Sequence, residues 1–280
     1  MKERVGTQFF GLWKELIADF GGTIDAVAEI GFEIGEPLIF LAEEQGEMPK
    51  NLWSFPLLEE GWKRMEAKGL AMPSAHVGAA FNEDGTFPYD MIQDGLLRIR
   101  EITGTENFIF SGMFTSADGA KQWGEAMGSL AERVKPYGCR IVYHNHDDEM
   151  IPMEDKGVSR CGLDIFYDVA GPDVLMQLDI GWAALTYGEI EAAEHYADRI
   201  LEIHLKDLSA EVLAQKISRM QIAPEQFRAI GEGGVKTKAV LDMRSELPIF
   251  NGAIIIDQDQ TAGNMLEDLT IGYRNVKRLL

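Results

Sequence analysis

Short apolar runs alternate with longer amphipathic stretches from one end of the chain to the other. The short runs have the length and composition of buried strands, and the longer stretches have the 3.6-residue spacing of helices. This alternation is typical of a parallel sheet built from repeated strand-then-helix units. The candidate strands cover residues 4–10, 32–40, 69–77, 107–114, 139–146, 174–181, 199–207 and 250–259. The clearest candidate helices cover residues 56–68, 88–102, 117–136, 188–198 and 263–279.

Eight strand–helix units predict a closed (β/α)8 barrel, the TIM-barrel architecture. An open, doubly wound sheet is the alternative, and counting strands does not separate the two. An open nucleotide-binding sheet would normally carry a GxGxxG turn after its first strand, and "FFGLWKEL" is not one. The loops are short and no low-complexity linker divides the chain. We therefore expect residues 1–280 to form a single barrel domain.

Polar side chains cluster where the predicted strands end. Because the active site of a TIM barrel lies at the carboxyl ends of its strands, these side chains are expected to surround one site. They are His76, His144, His146, Asp179, His204, Lys206, Asp257 and Asp259.

Three of these residues form a candidate metal-binding set: Asp179, His204 and Asp257. One Asp at a strand end is more commonly a helix N-cap, but their joint occurrence favours a metal. Carboxylates with an imidazole suit one divalent ion such as Mn²⁺, Mg²⁺, Co²⁺ or Zn²⁺ and leave positions open for substrate. The fourth ligand is expected from the stretch "VYHNHDDEM" at residues 142–150.

The same stretch carries two histidines at i and i+2, which point to the same face of a strand. Either His144 or His146, with an ordinary pKa near ~6.5, could take and return a proton near neutral pH. His76 is either a substrate contact or a satisfied polar residue below the strand ends. His195, inside an amphipathic helical stretch, is expected to be an exposed surface residue.

Composition and charge narrow the partners. The formal net charge of −20 opposes binding to phosphate backbones and anionic membranes, so neither nucleic acid nor membrane is an expected partner. Two cysteines without metal or disulfide spacing, and no signal-peptide core at the N-terminus, predict a cytoplasmic protein. Exposed aromatic residues such as Trp53 and Trp62 would allow a homodimer surface.

Several motifs taken together resemble the sugar phosphate isomerase/epimerase family, the xylose isomerase-like TIM barrels. They include "YHNHDDEM", "LDIGWAALTYGE", "RILEIHLKD", "IGEGGV" and "IIIDQDQ", and the resemblance spans nearly the whole chain. It implies a barrel with one divalent metal, bound by Asp179 and His204. It also implies a strand-5 ligand, either Glu149 or His144 itself, and places Asp257 where the family has a glutamate.

The resemblance implies an isomerase or epimerase that acts on a keto sugar or related polyol ketone through an enediolate. Lys206 would steady a substrate oxygen, and Glu232 in the Gly-rich loop would contact a hydroxyl. The substrate is expected to be an unphosphorylated small molecule, because no Arg and Lys cluster marks a phosphate site.

Three alternatives remain open from the sequence. "YHNH" is similar to the YHHH stretch of inosose dehydratases, which makes a lyase the first alternative. A non-catalytic sugar-binding barrel is the second, because fold does not fix function. A nucleic-acid enzyme related to endonuclease IV is disfavoured by the net charge and by Trp182, which stands where those enzymes have a further metal ligand.

Overall fold

The computed structural model describes residues 2–41 and 52–280. The strands are β1 (Arg4–Gln8), β2 (Ile34–Glu36), β3 (Leu38–Phe40), β4 (Ser74–Gly78), β5 (Asn107–Phe110), β6 (Arg140–His144), β7 (Pro152–Asp155), β8 (Val158–Cys161), β9 (Val174–Asp179), β10 (Ile200–Leu205), β11 (Asp207–Leu208), β12 (Phe227–Arg228) and β13 (Ala253–Ile256). The helices are α1 (Trp13–Ala18), α2 (Phe20–Ile30), α3 (Phe55–Ala67), α4 (Tyr89–Thr103), α5 (Ala117–Val134), α6 (Gly162–Ala170), α7 (Ile180–Leu185), α8 (Glu189–His195), α9 (Ala210–Gln215), α10 (Thr237–Asp242) and α11 (Met265–Leu279).

Nine of the strands form one parallel sheet in the order β2-β1-β13-β10-β9-β6-β5-β4-β3. The two ends of this order, β2 and β3, are consecutive halves of one extended segment that is interrupted at Pro37. Proline has no N–H to donate to a neighbouring strand, which accounts for the break in the ladder. The chain continues through Pro37, whose carbonyl accepts a hydrogen bond from His76 N at 2.9 Å. With β2 and β3 counted as one interrupted strand, the sheet forms an eight-stranded barrel. The predicted (β/α)8 barrel is confirmed.

The helices cover the outside of the barrel with their apolar faces. In α5, the buried residues recur at helical spacing, and the Ser116 hydroxyl caps the first turn by accepting from Gly119 N at 3.2 Å. Two small antiparallel sheets lie outside the barrel: the hairpin β7–β8, and the pair β11–β12, whose strands are separated by a segment that contains α9. The first follows β6 and the second follows β10, so both decorate the carboxyl-end rim where the candidate site lies.

Six of the eight predicted strands end earlier in the structure, because the next residues already belong to turns, loops or helices, whereas β3 ends at Phe40 as predicted and β4 ends one residue later, at Gly78. After β1 the chain enters a 3-10 turn at Phe10–Leu12, and after β9 it enters α7 at Ile180. The expectation that Trp53 is exposed was wrong: its ring is buried against Phe9 and Phe20, at centroid distances of 5.3 and 5.0 Å. Trp62 is half-buried, so the homodimer stays a prediction without these two residues as its support.

No helix in the described part of the chain has both the length and the apolar character needed to cross a membrane. A cytoplasmic location and a single domain over residues 1–280 stay predictions.

Candidate metal centre and catalytic site

Four side chains converge inside the carboxyl-end mouth of the barrel: His144, Asp179, His204 and Asp257. Each offers one ligand atom, and these atoms all lie within 4.8 Å of one another. All four side chains are buried. His144 and Asp179 end β6 and β9, His204 is the last residue but one of β10, and Asp257 directly follows β13. Adjacent parallel strands thus bring ligand-type atoms from distant parts of the sequence to one point.

Asp179 has two tasks, one for each carboxylate oxygen. Its Oδ1 caps α7 by accepting from Trp182 N at 2.9 Å. Among the residues that the structure describes, its Oδ2 is buried and has no hydrogen-bond partner. Burial raises the pKa of Asp179 to about 6, although the nearby Lys206 ammonium opposes the rise. Burying a carboxylate oxygen without a hydrogen-bond donor costs free energy. A bound cation next to Oδ2 would offset this cost.

His204 is held between two carboxylates. Its Nε2 contacts Glu36 Oε1 at 2.9 Å, and its Nδ1 faces Asp257 Oδ2 at 3.3 Å. Burial alone would lower the pKa of His204, but Glu36 and Asp257 outweigh it and raise the pKa to about 10. Because Glu36 engages Nε2 of His204, the other ring nitrogen, Nδ1, is the atom that faces the other three converging side chains. A carboxylate on the far nitrogen is the arrangement that usually orients a metal-binding histidine.

Glu36 was not among the residues that the sequence singled out. It ends β2 just before Pro37 and is fully buried. Besides His204, its carboxylate accepts from the Ser74 hydroxyl at 2.8 Å and from the Gln177 amide at 2.9 Å. The sequence signal was the second of two glutamates in the mostly apolar run "FEIGEPLIF", directly before a proline.

A polar layer lies in the barrel beneath the four side chains. Glu202, two residues before His204, accepts from Ser74 Oγ at 2.8 Å and from Gln177 Nε2 at 3.1 Å. Burial and the neighbouring Glu36 charge raise the pKa of Glu202. Because one serine hydroxyl carries only one proton, it cannot donate to Glu36 and Glu202 at once. Ser74 therefore lies between the two carboxyl groups and donates its single proton to one of them at a time.

Lys206 lies beside the group rather than in open contact with the mouth. Its ammonium is fully buried, donates to Asp257 O at 2.9 Å and to Asp259 Oδ2 at 2.7 Å, and lies 3.0 Å from Asp257 Oδ2. Burial would lower the pKa of Lys206, but these carboxylates raise it above its usual range. The ammonium therefore stays charged and its protons are already engaged by protein oxygens, so its predicted contact with a substrate oxygen stays a prediction.

His146 and Glu149 form a pair above the group of four. Glu149 is fully buried, and its Oε2 accepts from His146 N at 2.8 Å while its Oε1 lies 3.4 Å from His146 Nδ1. The half-buried His146 ring lies 5.2 Å from the His144 ring, centroid to centroid. Within the described residues, no hydrogen bond occupies His146 Nε2. Glu149 thus faces its own loop and lies outside the converging group, in which His144 supplies the β6 atom.

Glu232 lies on the exposed loop that follows β12. That loop is shaped by Asp207, whose carboxylate accepts from Gly231 N, Gly233 N and Val235 N at 2.9, 3.0 and 3.1 Å. The structure therefore does not bring Glu232 into the converging group, and its contact with a hydroxyl stays a prediction. His195 is exposed and pairs with Asp164, as expected for a surface residue.

The four converging side chains fit a divalent metal. They supply two imidazoles and two carboxylates, a mixed nitrogen and oxygen set that suits Zn²⁺, Mn²⁺ or Co²⁺. The unpartnered Asp179 Oδ2 lies 3.9 Å from His144 Nε2, so the two atoms face each other across a gap without a hydrogen bond. Burial and the neighbouring imidazoles keep the pKa of His144 well below its usual range, so this ring is neutral, as a ligand must be.

Comparison with curated proteins finds two kinds of relative at low identity. The rhizopine catabolism protein MocC of Rhizobium meliloti is 24% identical over 165 residues, covering 56% of this chain and 49% of that protein. An inosose dehydratase of Histophilus somni is 24% identical over 196 residues, covering 64% and 62%. The matches thus span about half to three-fifths of the relatives' lengths. No family model matches the chain.

Solved structures match the whole barrel. A sugar phosphate isomerase/epimerase from Parabacteroides distasonis superposes with a TM-score of 0.74 at 17% identity, covering 99% of this chain and 94% of that one. The chain has the xylose isomerase-like fold. The probable 3-DHS dehydratase AsbF of Bacillus anthracis superposes with a TM-score of 0.69 at 12% identity, covering 99% of both chains. IolI with a bound zinc atom gives 0.68 at 12% identity, covering 99% and 97%.

Proposed function

We propose that this protein is a metal-dependent enzyme that acts on unphosphorylated keto sugars or inosose-type polyol ketones by removing a proton next to the carbonyl. The observation that carries the proposal is the convergence of His144, Asp179, His204 and Asp257. Within the described residues one buried carboxylate oxygen of this group has no partner, and the ring of the half-buried His146 lies 5.2 Å from that of His144. The zinc in the IolI structure and the names of the dehydratase relatives support it.

His144, Asp179, His204 and Asp257 would hold the ion. A divalent ion there would polarise a substrate carbonyl and stabilise the negative charge that develops when the adjacent proton leaves. His146 is the base we assign, because no hydrogen bond among the described residues engages its Nε2, while Glu149 accepts from its backbone N and faces its Nδ1. A histidine oriented by a carboxylate is suited to take a proton and return it near neutral pH.

The reaction forks after the proton is removed. Returning it to the neighbouring carbon gives an isomer, whereas loss of a hydroxyl one carbon further along forms a C=C bond and releases water. In that second case the protonated His146 gives its proton to the departing hydroxyl, so the base is restored. Both branches need only one acid–base group, whereas inversion of a stereocentre from opposite faces needs two.

Among these branches we favour dehydration over the isomerisation or epimerisation that the sequence favours. The opposed glutamate pair of the family's epimerases is replaced here by His144 and Asp257, both in the candidate metal set. Among the residues that the structure describes, His146 is then the base that we assign at the mouth. The inosose dehydratase relatives point to the same branch, and isomerisation by the same single base is the second candidate.

The charges around the mouth favour an uncharged substrate. Arg219 is paired with Asp147 and Asp148, at 3.1 and 3.3 Å, next to the His146 loop. Lys206 is engaged by Asp257 and Asp259. With both cations neutralised by carboxylates, a phosphate group would find little attraction at these positions.

Product analysis tests the proposal and separates its branches. The metal-loaded protein is incubated with a panel of inososes and keto sugars, and the products are followed by NMR and mass spectrometry. A product that has lost one water supports dehydration, and a product of unchanged mass supports isomerisation or epimerisation. Bound metal and bound sugar without any product would leave a non-catalytic sugar-binding barrel and would contradict the proposal.

A further inference from the structure

Gln177 is a fully buried glutamine that contacts four ionisable side chains with its single amide group. It lies on β9 two residues before Asp179, so its side chain points to the same interior face one layer lower. Its Oε1 lies 2.8 Å from His76 Nε2 and 3.0 Å from His144 Nδ1. Its Nε2 lies 2.9 Å from Glu36 Oε2 and 3.1 Å from Glu202 Oε2.

The carboxylates fix which way this amide points. The contacts of Glu36 show that it is an acceptor, because its Oε1 faces His204 Nε2 at 2.9 Å and its Oε2 faces the Ser74 hydroxyl at 2.8 Å. The amide nitrogen must therefore face Glu36, since the reversed amide would press a carbonyl oxygen against a carboxylate oxygen at 2.9 Å. The carbonyl oxygen of Gln177 is left to face the two imidazoles.

An amide oxygen can only accept, so both ring nitrogens that face it must carry protons. For His144 this places the proton on Nδ1. In the neutral ring, which is the form that can bind a metal, Nε2 then has a free lone pair, and Nε2 is the atom that faces Asp179 Oδ2 at 3.9 Å. The opposite tautomer would present an N–H to the group of four and could not bind a metal.

We propose that Gln177 is a positioning residue that selects the Nδ1–H tautomer of His144 and so turns the Nε2 lone pair toward the candidate metal. The inference deepens the proposed metal site and rests on it for the role of the lone pair. The tautomer itself follows from the protein's own hydrogen bonds and can be measured without metal or substrate.

The test is long-range ¹H–¹⁵N NMR of the histidine rings in the metal-free protein near pH 7.5. The chain has five histidines, so the ring signals are few enough to assign with a His144→Gln variant. Wild type should show His144 protonated at Nδ1 and bare at Nε2. Gln177→Leu should lose this pattern, with Gln177→Met as a second apolar replacement in case the first does not fold. Zn²⁺ affinity should fall by about 10- to 100-fold, as for other partners of metal ligands.

Two matched variants separate tautomer selection from general loosening of the barrel. Gln177→Glu can accept from both imidazoles and, when protonated, donate to Glu36, so it should restore the Nδ1–H tautomer and most of the Zn²⁺ affinity. Asn107→Leu removes a buried amide that donates to Pro73 O at the opposite end of the barrel, and should change neither readout.

A wild-type His144 protonated at Nε2, or an unchanged ring pattern in both apolar variants, would overturn the inference. A changed tautomer with unchanged Zn²⁺ affinity would overturn its metal-directed part. A wild type with the expected tautomer but no Zn²⁺ binding would instead defeat the proposed function, while the tautomer selection by Gln177 would stand on the NMR result.

Discussion

Replacing Glu36 by glutamine should weaken metal binding although Glu36 is not one of the four converging residues. The carboxylate accepts from His204 Nε2 at 2.9 Å with one oxygen, and from Ser74 and Gln177 at 2.8 and 2.9 Å with the other. A glutamine has only one accepting oxygen, so it cannot satisfy both sides.

Either orientation of the new amide has a cost. With its oxygen toward His204, its NH₂ faces the Gln177 NH₂, and a buried donor is left without an acceptor. With its NH₂ toward His204, the imidazole proton is driven to Nδ1, the nitrogen that faces Asp257 and the candidate metal. Loss of such a partner typically costs 10- to 100-fold in metal affinity, or about 1.4 to 2.7 kcal/mol.

The assay is a Zn²⁺ or Mn²⁺ titration at pH 7.5 in competition with a chelating dye. Glu149→Gln is the matched control, because it removes a carboxylate that is equally buried at the same mouth but lies outside the group of four. Thermal unfolding verifies that both variants are folded. Wild-type affinity in folded Glu36→Gln would refute the reasoning, and a loss of tenfold or more in Glu149→Gln would instead support Glu149, one of the two strand-5 ligands that the sequence leaves open.

Three further predictions follow from the site. Asp179→Asn, which removes the unpartnered Oδ2, should leave no metal after gel filtration, as measured by elemental analysis; full retention would contradict the ligand set. His146→Ala should slow proton exchange on substrate by about 10²- to 10⁴-fold while metal content stays normal, and equal exchange rates would remove His146 as the base. Metal affinity should rise about tenfold per pH unit between pH 6 and 10, where the proton on His204 must be displaced, since the pKa of His204 is about 10. Below pH 6 it should rise about a hundredfold per unit, because Asp179, with a pKa of about 6, must also lose a proton, and a flat profile would contradict this assignment.

The barrel could be predicted because the same pattern of apolar and polar residues, a short strand followed by a helix, repeats along the sequence. Each of the eight barrel strands lies in a short, mostly apolar run next to a helix with an apolar face. The spacing of apolar residues alone therefore indicates the strand–helix units. Strand ends were less predictable. Asp179 closes β9 and at once caps α7, and a pattern of apolar residues does not show that Ile180 already belongs to a helix.

Asp179, His204 and Asp257 could be proposed as ligands because each follows a mostly apolar run near the end of its strand, and a barrel brings such ends together. Glu36 was missed because the predicted strand continued to Phe40, so the break at Pro37 that places Glu36 at the site was hidden. The choice between His144 and Glu149 depends on where a side chain turns within a loop, and residue spacing does not contain that information.

Gln177 and Glu202 carry a signal that could have been used. Each lies two residues before a candidate ligand, Asp179 or His204, and the period of two in a strand places it directly beneath that ligand. Polar residues at such interior positions are seldom buried without partners. What the sequence lacks is the partner itself, because Glu36 and Ser74 come from strands more than a hundred residues away.

The central claim is that this site removes a proton next to a carbonyl with the help of a bound divalent ion. The most direct measurement is NMR of an inosose in D₂O with the metal-loaded protein, compared with the chelator-stripped protein and with Asp179→Asn. The account predicts deuterium at the carbon beside the carbonyl, or a dehydrated product, with the metal-loaded wild-type protein. Neither should form with the chelator-stripped protein or with Asp179→Asn. Equal deuterium uptake with the stripped protein and with Asp179→Asn would contradict it.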